Sequence, residues 1–280
     1  MLHLKIILQK IIRALIFGSA RSTRMRQIID VTVSTVVSQV TTVRHENKNF
    51  LFYTPNHMTT MRARTFSTKE PETLSWIDSM PLNAILWDIG ANIGIYSVYA
   101  AVSRGISVVA FEPSVFNLEL LAKNVSLNGI SDLVTIFPVA LTEKTGCATM
   151  RLSQVEWGGS MATFNEVFTH DGSKIKPLME YSFLGMTGDD AFQVTKIPQP
   201  THIKLDVDGI EHLVLQGMPH ILQNVTSVLV EVNDDFKNQA ESVYAKLNEA
   251  GLELSKKCKT TEIKDSKLET VFNQIWEKPY

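Results

Sequence analysis

The chain has 280 residues, of which 44% are hydrophobic and 20% charged, which excludes a disordered protein and leaves enough length for a large core. Its formal charge of −2 hides a division: residues 1–64 carry ten basic and two acidic side chains, whereas residues 65–280 carry 17 basic and 27 acidic. The acidic body has no basic field with which to displace counterions from phosphates, so nucleic acid is excluded as a general partner.

Residues 1–29 contain Lys5, Lys10, Arg13, Arg21, Arg24 and Arg26 before the first acid, Asp30. At about 100° per residue, Leu4, Ile7, Leu8, Ile11 and Leu15 face away from His3, Lys5, Gln9, Lys10 and Arg13. Charges interrupt the apolar run short of the ~20 residues a spanning helix needs. A docking helix, a helix lying on a membrane surface and a targeting segment all remain open for residues 1–27. The expected location is cytoplasmic, with peripheral membrane contact through this helix as one of those readings. Asp30–Val33 and Asn49–Tyr53, flanking a polar turn at His45–Lys48, predict a small β unit. Residues 1–67 are thus expected as an N-terminal extension and 68–280 as the body. Lys69-Glu70-Pro71-Glu72-Thr73 then supplies a cap, a first-turn Pro and an acid for a short helix.

From Ala84 the rhythm alternates. Ala84–Trp87, Ile106–Phe111 and Leu133–Val139 predict strands, with helices over Ile93–Ser103 and Ser114–Leu127 between them. The pattern resumes with a strand at His202–Leu205, a helix at Ile210–Leu222, a strand at Ser227–Val232 and a helix at Lys237–Ala250. Alternation of this kind implies an α/β fold, a mostly parallel sheet with helices on both faces. Leu252–Lys256 and Thr270–Trp276, with no helix between them, predict an antiparallel hairpin at one edge. Residues of about 142–200 show weak periodicity and read as a loop insertion on the ligand side. Cys147 and Cys258 lack any C-x-x-C or Cys/His spacing and read as reduced thiols, with no zinc site.

The strongest local signal is Trp87-Asp88-Ile89-Gly90-Ala91-Asn92-Ile93-Gly94 at a strand-to-helix turn. Gly90 permits a tight turn against a ligand, Gly94 a close approach of helix to sheet, and Asp88 places a carboxylate at the strand end. A nicotinamide-binding turn would read G-x-G-x-x-G, but Asn92 stands at the second glycine and a carboxylate precedes the turn, which disfavours a pyrophosphate. Glu112, in Phe111-Glu112-Pro113 at the next strand end, is spaced to accept hydrogen bonds from ribose hydroxyls. Together the turn and this acid point to an adenosyl ligand carrying positive charge.

These residues, with Asn117, Asn124, Val139-Ala140-Leu141 and Ile203-Lys204-Leu205-Asp206-Val207-Asp208-Gly209-Ile210-Glu211, resemble the FkbM family of S-adenosylmethionine-dependent methyltransferases over about residues 68–233. The resemblance implies a class I, Rossmann-like methyltransferase fold: a seven-stranded sheet whose last strand runs antiparallel, here with an N-terminal β/helical extension. It also implies that Asp88, Gly90, Asn92 and Gly94 serve the methionine part of S-adenosyl-L-methionine, Glu112 its ribose and Ala140 its adenine edge. Asp208 departs from the pattern, because many relatives carry Glu there.

Asp206, Asp208 and Glu211 leave the fourth strand as a carboxylate rim, joined by His212 and by Glu231 and Asn233 from the next strand. They suit the orientation of an acceptor hydroxyl and removal of its proton during methyl transfer, and Asp206 also touches the cofactor side. The same carboxylates could bind a divalent cation, which is not predicted, or Asp208 and Glu211 could simply cap the next helix while Lys204 neutralises its neighbours. Trp157-Gly158-Gly159-Ser160 reads as a flap over the site or as a loop aromatic packed on the sheet, and Trp76 and Trp276 read as core. The expected function is O-methylation of a hydroxyl on a sugar, glycan or natural-product acceptor. An NAD-dependent oxidoreductase and a catalytically silent nucleoside-binding module are the alternatives.

Overall fold

The computed structural model describes residues 7, 10–14, 16, 23–259 and 270–279. Helix α1 (Thr23–Val37) precedes a hairpin of β1 (Val40–His45) and β2 (Lys48–Tyr53), followed by α2 (His57–Lys69) and α3 (Pro71–Ser79). The segment Asp30–Val33, expected as a strand, is therefore helical. Glu46 and Asn47 form a two-residue turn with φ of 46° and 64°, which pairs His45 with Lys48 and fixes Val40–His45 as the partner of β2. Asp30–Val33 is left without a strand to pair with. In the helix, the hydroxyls of Thr32, Ser34 and Thr35 donate to carbonyls three or four residues back. No residue of α1 is buried, and Ile28, Val31, Val33 and Val36 are exposed. The amphipathic helix expected over residues 1–27 lies largely outside the described residues. No helix among the described residues is long and apolar enough to cross a membrane.

Helix α2 is absent from the sequence reading because only Thr59, Ala63 and Phe66 are buried along it, too few for a visible apolar stripe. Its start is set by a reciprocal cap: Thr59 N–H donates to Asn56 Oδ1 at 2.9 Å, and Asn56 N–H donates to Thr59 Oγ1 at 3.3 Å. Pro71 opens α3 as expected, although the Glu70 side chain does not cap it.

The body continues in chain order with β3 (Ile85–Ile89), α4 (Ile95–Arg104), β4 (Ser107–Phe111), α5 (Val115–Leu127) and β5 (Val134–Phe137). Next come β6 (Ala140–Leu141), β7 (Gly146–Leu152), β8 (Ala162–Phe164), β9 (Met179–Met186) and α6 (Gly188–Thr195). The chain then forms β10 (His202–Leu205), α7 (Glu211–Gln216), α8 (Pro219–Leu222), β11 (Ser227–Asn233), α9 (Lys237–Glu249), β12 (Glu253–Lys259) and β13 (Val271–Glu277). Seven strands form one sheet in the order β12-β13-β11-β10-β3-β4-β5. Its neighbours are parallel except for β13, which lies antiparallel between β11 and β12. The class I methyltransferase topology expected from the sequence is therefore present. Strand order reverses between β3 and β10, and the crevice at their carboxyl ends is where such sheets bind ligands.

The predicted helix Ile210–Leu222 is broken into α7 and α8. Pro219 cannot continue the hydrogen-bond ladder, and a Cβ on Gly217 would stand 2.1 Å from the Thr142 carbonyl oxygen, so that close approach requires glycine. The insertion also forms more than a loop: β6, β9, β7 and β8 make a second sheet. Its two longer strands, β7 and β9, are mostly exposed or half-buried, which explains the weak periodicity.

Strand alternation sorts the central sheet onto two faces. Trp87, Ile89, Val109, Phe111, Ile203, Leu205, Val228 and Val230 pack in one core with α7–α9 and with Met150, Leu152 and Phe164 of the second sheet. Leu86, Val108, Ala110, Leu229 and Ile275 pack in the other with Phe66, Trp76, Ile77, Val98 and Leu121. Trp276 belongs to the first core and Trp76 to the second, as expected.

Candidate active site

A cavity of about 220 Å³ opens at the carboxyl ends of β3, β4, β10 and β11. Of the residues expected at the site, Gly90, Asn92, Glu112, Ala140, Asp206 and Asp208 line it together. Asp88, Gly94 and Glu211 do not.

The Gly90–Gly94 turn is held from both sides. Gly90 has φ +85° and a Cβ there would lie 1.8 Å from the Asp206 carbonyl oxygen, so only glycine lets β3 turn against the end of β10. The N–H groups of Gly90 and Ala91 both donate to the Phe111 carbonyl at 3.0 Å. Glu112 braces the turn: Asn92 N–H donates to its Oε2 at 2.7 Å and Ser114 N–H to its Oε1 at 2.7 Å. Burial pushes the Glu112 carboxyl up to about 7 against the pull of these bonds. Each carboxylate oxygen keeps a lone pair for a ligand.

Asp88 is placed differently from the expectation. It points with Leu86 toward the helical face, where its Oδ2 accepts from Ser97 Oγ at 2.6 Å and its Oδ1 is buried with no hydrogen-bond partner. In register it faces Lys204 across the β3–β10 pair, and Lys204 is itself buried. Burial pushes the Asp88 carboxyl up, and the Lys204 charge opposes that shift. Period-two alternation is the reason: two residues before Gly90, the side chain sits on the sheet face and not at the strand mouth.

Lys204 Nζ also pairs with Asp206 Oδ2 at 3.1 Å and lies 4.9 Å above the Tyr96 ring. Burial would lower the Lys204 pKa, but Asp206, Asp88 and Glu70 outweigh it and hold the ammonium above its usual range. Burial likewise opposes ionisation of Asp206, yet Lys204 and Lys69 hold it below the usual carboxylate range. Asp206 is thus an ionised carboxylate facing the cavity. Two residues beyond it, Asp208 has φ +60°, and its Oδ2 accepts from Met161 N–H at 2.8 Å and Ala162 N–H at 3.3 Å. Burial and the Asp206 charge push Asp208 up.

Glu211, expected on the rim, is turned inward. Its Oε1 accepts from the N–H groups of Val207 at 2.9 Å and Gly209 at 3.2 Å, and its Oε2 from Gln239 Nε2. It clamps the 206–209 loop and does not cap α7, which has no side-chain cap hydrogen bond, so the capping alternative does not hold; burial pushes its carboxyl up to about 7. His212 packs against Phe168 and Phe236, away from the cavity. Asn233 is occupied by the His170 carbonyl and the Asp235 and Thr270 groups.

The Trp157–Ser160 segment covers the cavity and is pinned there. Gly159 O accepts from Asn92 Nδ2 at 2.9 Å and Asn117 Nδ2 at 3.0 Å, and Gly158 N–H donates to Asn117 Oδ1 at 3.0 Å. From α2's side, Arg62 Nε donates to Gly158 O at 2.7 Å and Asn56 Nδ2 to Trp157 O at 2.9 Å. Trp157 Nε1 donates to Glu119 at 3.0 Å.

The sequence reading missed Arg62, Lys69 and His170, which also line the cavity. Lys69 pairs with Glu70 at 2.8 Å, and Glu70 accepts from Tyr96 OH at 2.8 Å. The available signal was the Lys69-Glu70-Pro71 junction, where two charges adjoin a helix break. Glu231, two residues beyond Leu229, shares its sheet face and lines the cavity too. Burial, with Asp206 and Glu211 nearby, pushes its carboxyl well up. Among the described residues, no group of three or more His, Cys, Asp or Glu is placed to hold a metal ion.

The methyltransferase FkbM domain model matches residues 88–254. The chain is 30% identical over 153 residues to the hexuronic acid methyltransferase AglP of Haloferax volcanii, covering 53% of this chain and 56% of that protein. It therefore spans little more than half the length of that relative. Two solved structures are similar at low identity. A putative transferase from Pyrococcus horikoshii is 12% identical, covers 86% of this chain and 71% of its own, and has a TM-score of 0.49. TYW2 of M. jannaschii in complex with AdoMet is 11% identical, covers 86% and 87%, and has a TM-score of 0.45. Both scores are too low to bear on function.

Proposed function

The chain belongs to the FkbM methyltransferase family, and from that premise we propose that it is an S-adenosylmethionine-dependent O-methyltransferase acting on a hydroxyl of a sugar, glycan or natural-product acceptor. The observation that carries this reading is Glu112: a buried carboxyl on the cavity wall at the carboxyl end of β4, bracing the Gly90–Gly94 turn that borders the crevice where strand order reverses. Ribose hydroxyls would donate to its free lone pairs. Val139, Ala140 and Leu141, with Met150, Leu152 and Phe164 opposite, form an apolar wall suited to an adenine ring. When bound, S-adenosylmethionine supplies an electrophilic methyl group on a cationic sulfonium.

Asp206 is the carboxylate we assign to the acceptor. Its Oδ2 is held by Lys204, which leaves Oδ1 to accept a hydrogen bond from the acceptor hydroxyl and to take its proton as the methyl group reaches the oxygen. A weakly basic group is enough where alignment supplies most of the rate. Asp208 acts beside it by tying the covering segment to the end of β10. A sugar acceptor is in keeping with the hexuronic acid named for the Haloferax relative. For the NAD alternative, Asn92 is unfavourable: it occupies the second-glycine position with its side chain committed to Ile93 N–H and Gly159 O.

Calorimetry with S-adenosylmethionine, S-adenosylhomocysteine and NAD tests the reading. Binding of the two adenosyl ligands and not NAD is expected, and failure to bind either adenosyl ligand would overturn it. An acceptor screen with methyl-labelled cofactor then separates an enzyme from a silent binding module, and Asp206→Asn is expected to lower turnover about 100-fold or more while leaving cofactor affinity near wild type.

A further inference from the structure

Helix α1 lacks the burial that normally holds a helix. Nine of its fifteen residues are β-branched and none is buried. Such side chains lose rotamer freedom in a helix, and fifteen residues are marginal in water even with better helix formers, so α1 needs an apolar surface to lie on. Among the described residues ahead of it, Ile7, Ile11, Ile12 and Ile16 are helical and exposed as well. The placement of side chains says what that surface is. At about 3.6 residues per turn, Met25, Ile28, Ile29, Thr32 and Val36 share an arc of about 100°. Arg24 and Arg26 stand at its two edges, and Thr23, Gln27, Asp30 and Ser34 occupy the opposite side. The hydroxyls of Thr32 and Thr35 donate to the Ile28 and Val31 carbonyls at 2.8 Å and 2.7 Å, so neither depends on water for a partner. Arginines bordering an apolar arc run their stems over hydrocarbon and keep their guanidinium groups at headgroup level.

We propose that α1 lies flat on an anionic lipid bilayer, its apolar arc among the acyl chains and Arg24 and Arg26 at the headgroup phosphates, with the basic stretch before it adding charge. Charge decides the occupant. Residues 1–29 hold six basic side chains and no acid, whereas residues 65–280 hold 17 basic and 27 acidic, so an anionic surface attracts the front and repels the body. The same difference turns α1 toward the bilayer. A second copy on this face would bring the arginines of both helices together, and a nucleic acid would pair with them but leave the apolar arc in water. The proposal stands apart from the methyltransferase reading, because no residue of α1 lines the cavity.

The test is co-sedimentation of the full chain with vesicles of phosphatidylcholine, alone or with about one third phosphatidylglycerol. The mixed vesicles are expected to bind about tenfold or more tightly than phosphatidylcholine alone, with the difference shrinking as salt rises. Each basic side chain at an anionic surface contributes about fivefold to partitioning, so Arg24→Gln with Arg26→Gln should weaken binding about 25-fold. Ile28→Asp with Val36→Asp should weaken it at least as much, whereas Ile28→Leu with Val36→Leu should retain it. Melting temperature should stay near wild type in every variant, since α1 has no buried residue. Absence of binding to the mixed vesicles, equal binding to both kinds, or binding that survives either the Arg→Gln or the Asp pair overturns the proposal. A lower melting temperature in Ile28→Asp with Val36→Asp would show α1 packed on the body and overturn it too. So would a dimer in analytical ultracentrifugation that the same pair dissolves, which would give the face to a second copy.

Discussion

Replacing Glu112 with Gln keeps the shape of the side chain and removes its charge. The carboxylate accepts from Asn92 N–H and Ser114 N–H, both at 2.7 Å, through different oxygens. Gln has one carbonyl oxygen, so one of those donors meets an NH2 group and loses its partner, a cost of about 1–3 kcal/mol to the turn. Two ribose hydrogen bonds to a carboxylate are each worth about 1 kcal/mol more than to a neutral amide. Together these bonds predict that the Kd for S-adenosylhomocysteine rises about 30-fold, at 1.4 kcal/mol per decade.

The pH dependence carries the same signature. Burial lifts Glu112 from 4.5 to about 7, so the free protein binds a proton there that must leave before the carboxylate accepts both hydroxyls. Affinity should fall as pH drops below about 7 in the wild type and be flat in Glu112→Gln. The effect on folding has the opposite sign. With the folded pKa above the unfolded one, the native state binds more protons between these values, so this group's contribution to stability is present below about 4.5 and lost as pH rises through about 7. Titration calorimetry from about pH 6 to about pH 8 reads the first effect, and thermal melts over the acid range read the second. An unchanged Kd in Glu112→Gln, or the same pH slope in both proteins, would refute the ribose assignment.

Other substitutions probe the frame around the site. Gly90→Ala forces a Cβ into the Asp206 carbonyl at φ +85°, so it should lower the melting temperature and abolish S-adenosylhomocysteine binding together; wild-type binding would show that β3 and β10 need not meet there. Lys204→Met takes the ion-pair partner from Asp206 and the facing cation from buried Asp88, and about 3–5 kcal/mol of stability should be lost in urea titration. A loss near zero would mean that those acids are neutral in the native state. Deleting residues 1–37 removes a helix with no buried residue, so stability should change by about 0.5 kcal/mol or less and cofactor affinity should hold, while any effect on cellular location would assign α1 and the basic stretch before it.

The sequence by itself determined the elements whose identity is local. Gly90, Pro71 and the Phe111-Glu112-Pro113 strand end mark breaks that backbone sterics impose, and the alternation of β-branched runs with amphipathic stretches marked the parallel sheet. These signals are legible because a glycine at positive φ, a proline at a first turn and a period of two or 3.6 act within a few residues. Tertiary structure decided what each carboxylate does. Asp88, Asp206 and Glu211 look alike as strand-end or helix-start acids, yet one accepts from Ser97 on the sheet face opposite Lys204, one faces the cavity and one clamps the loop from behind. The identity of the residue gives the charge, but the sheet face, the neighbouring strand and the register decide whether it meets a cation, a backbone donor or a ligand. Arg62 and Lys69 escaped the sequence because the few buried residues around them, Thr59, Ala63 and Phe66, make no visible apolar stripe, and only the tertiary placement of α2 brings them to the site. The near-neutral charge sum is divided on the same principle: the acids at the strand mouths become a site through topology, while no residue of α1 lines the cavity.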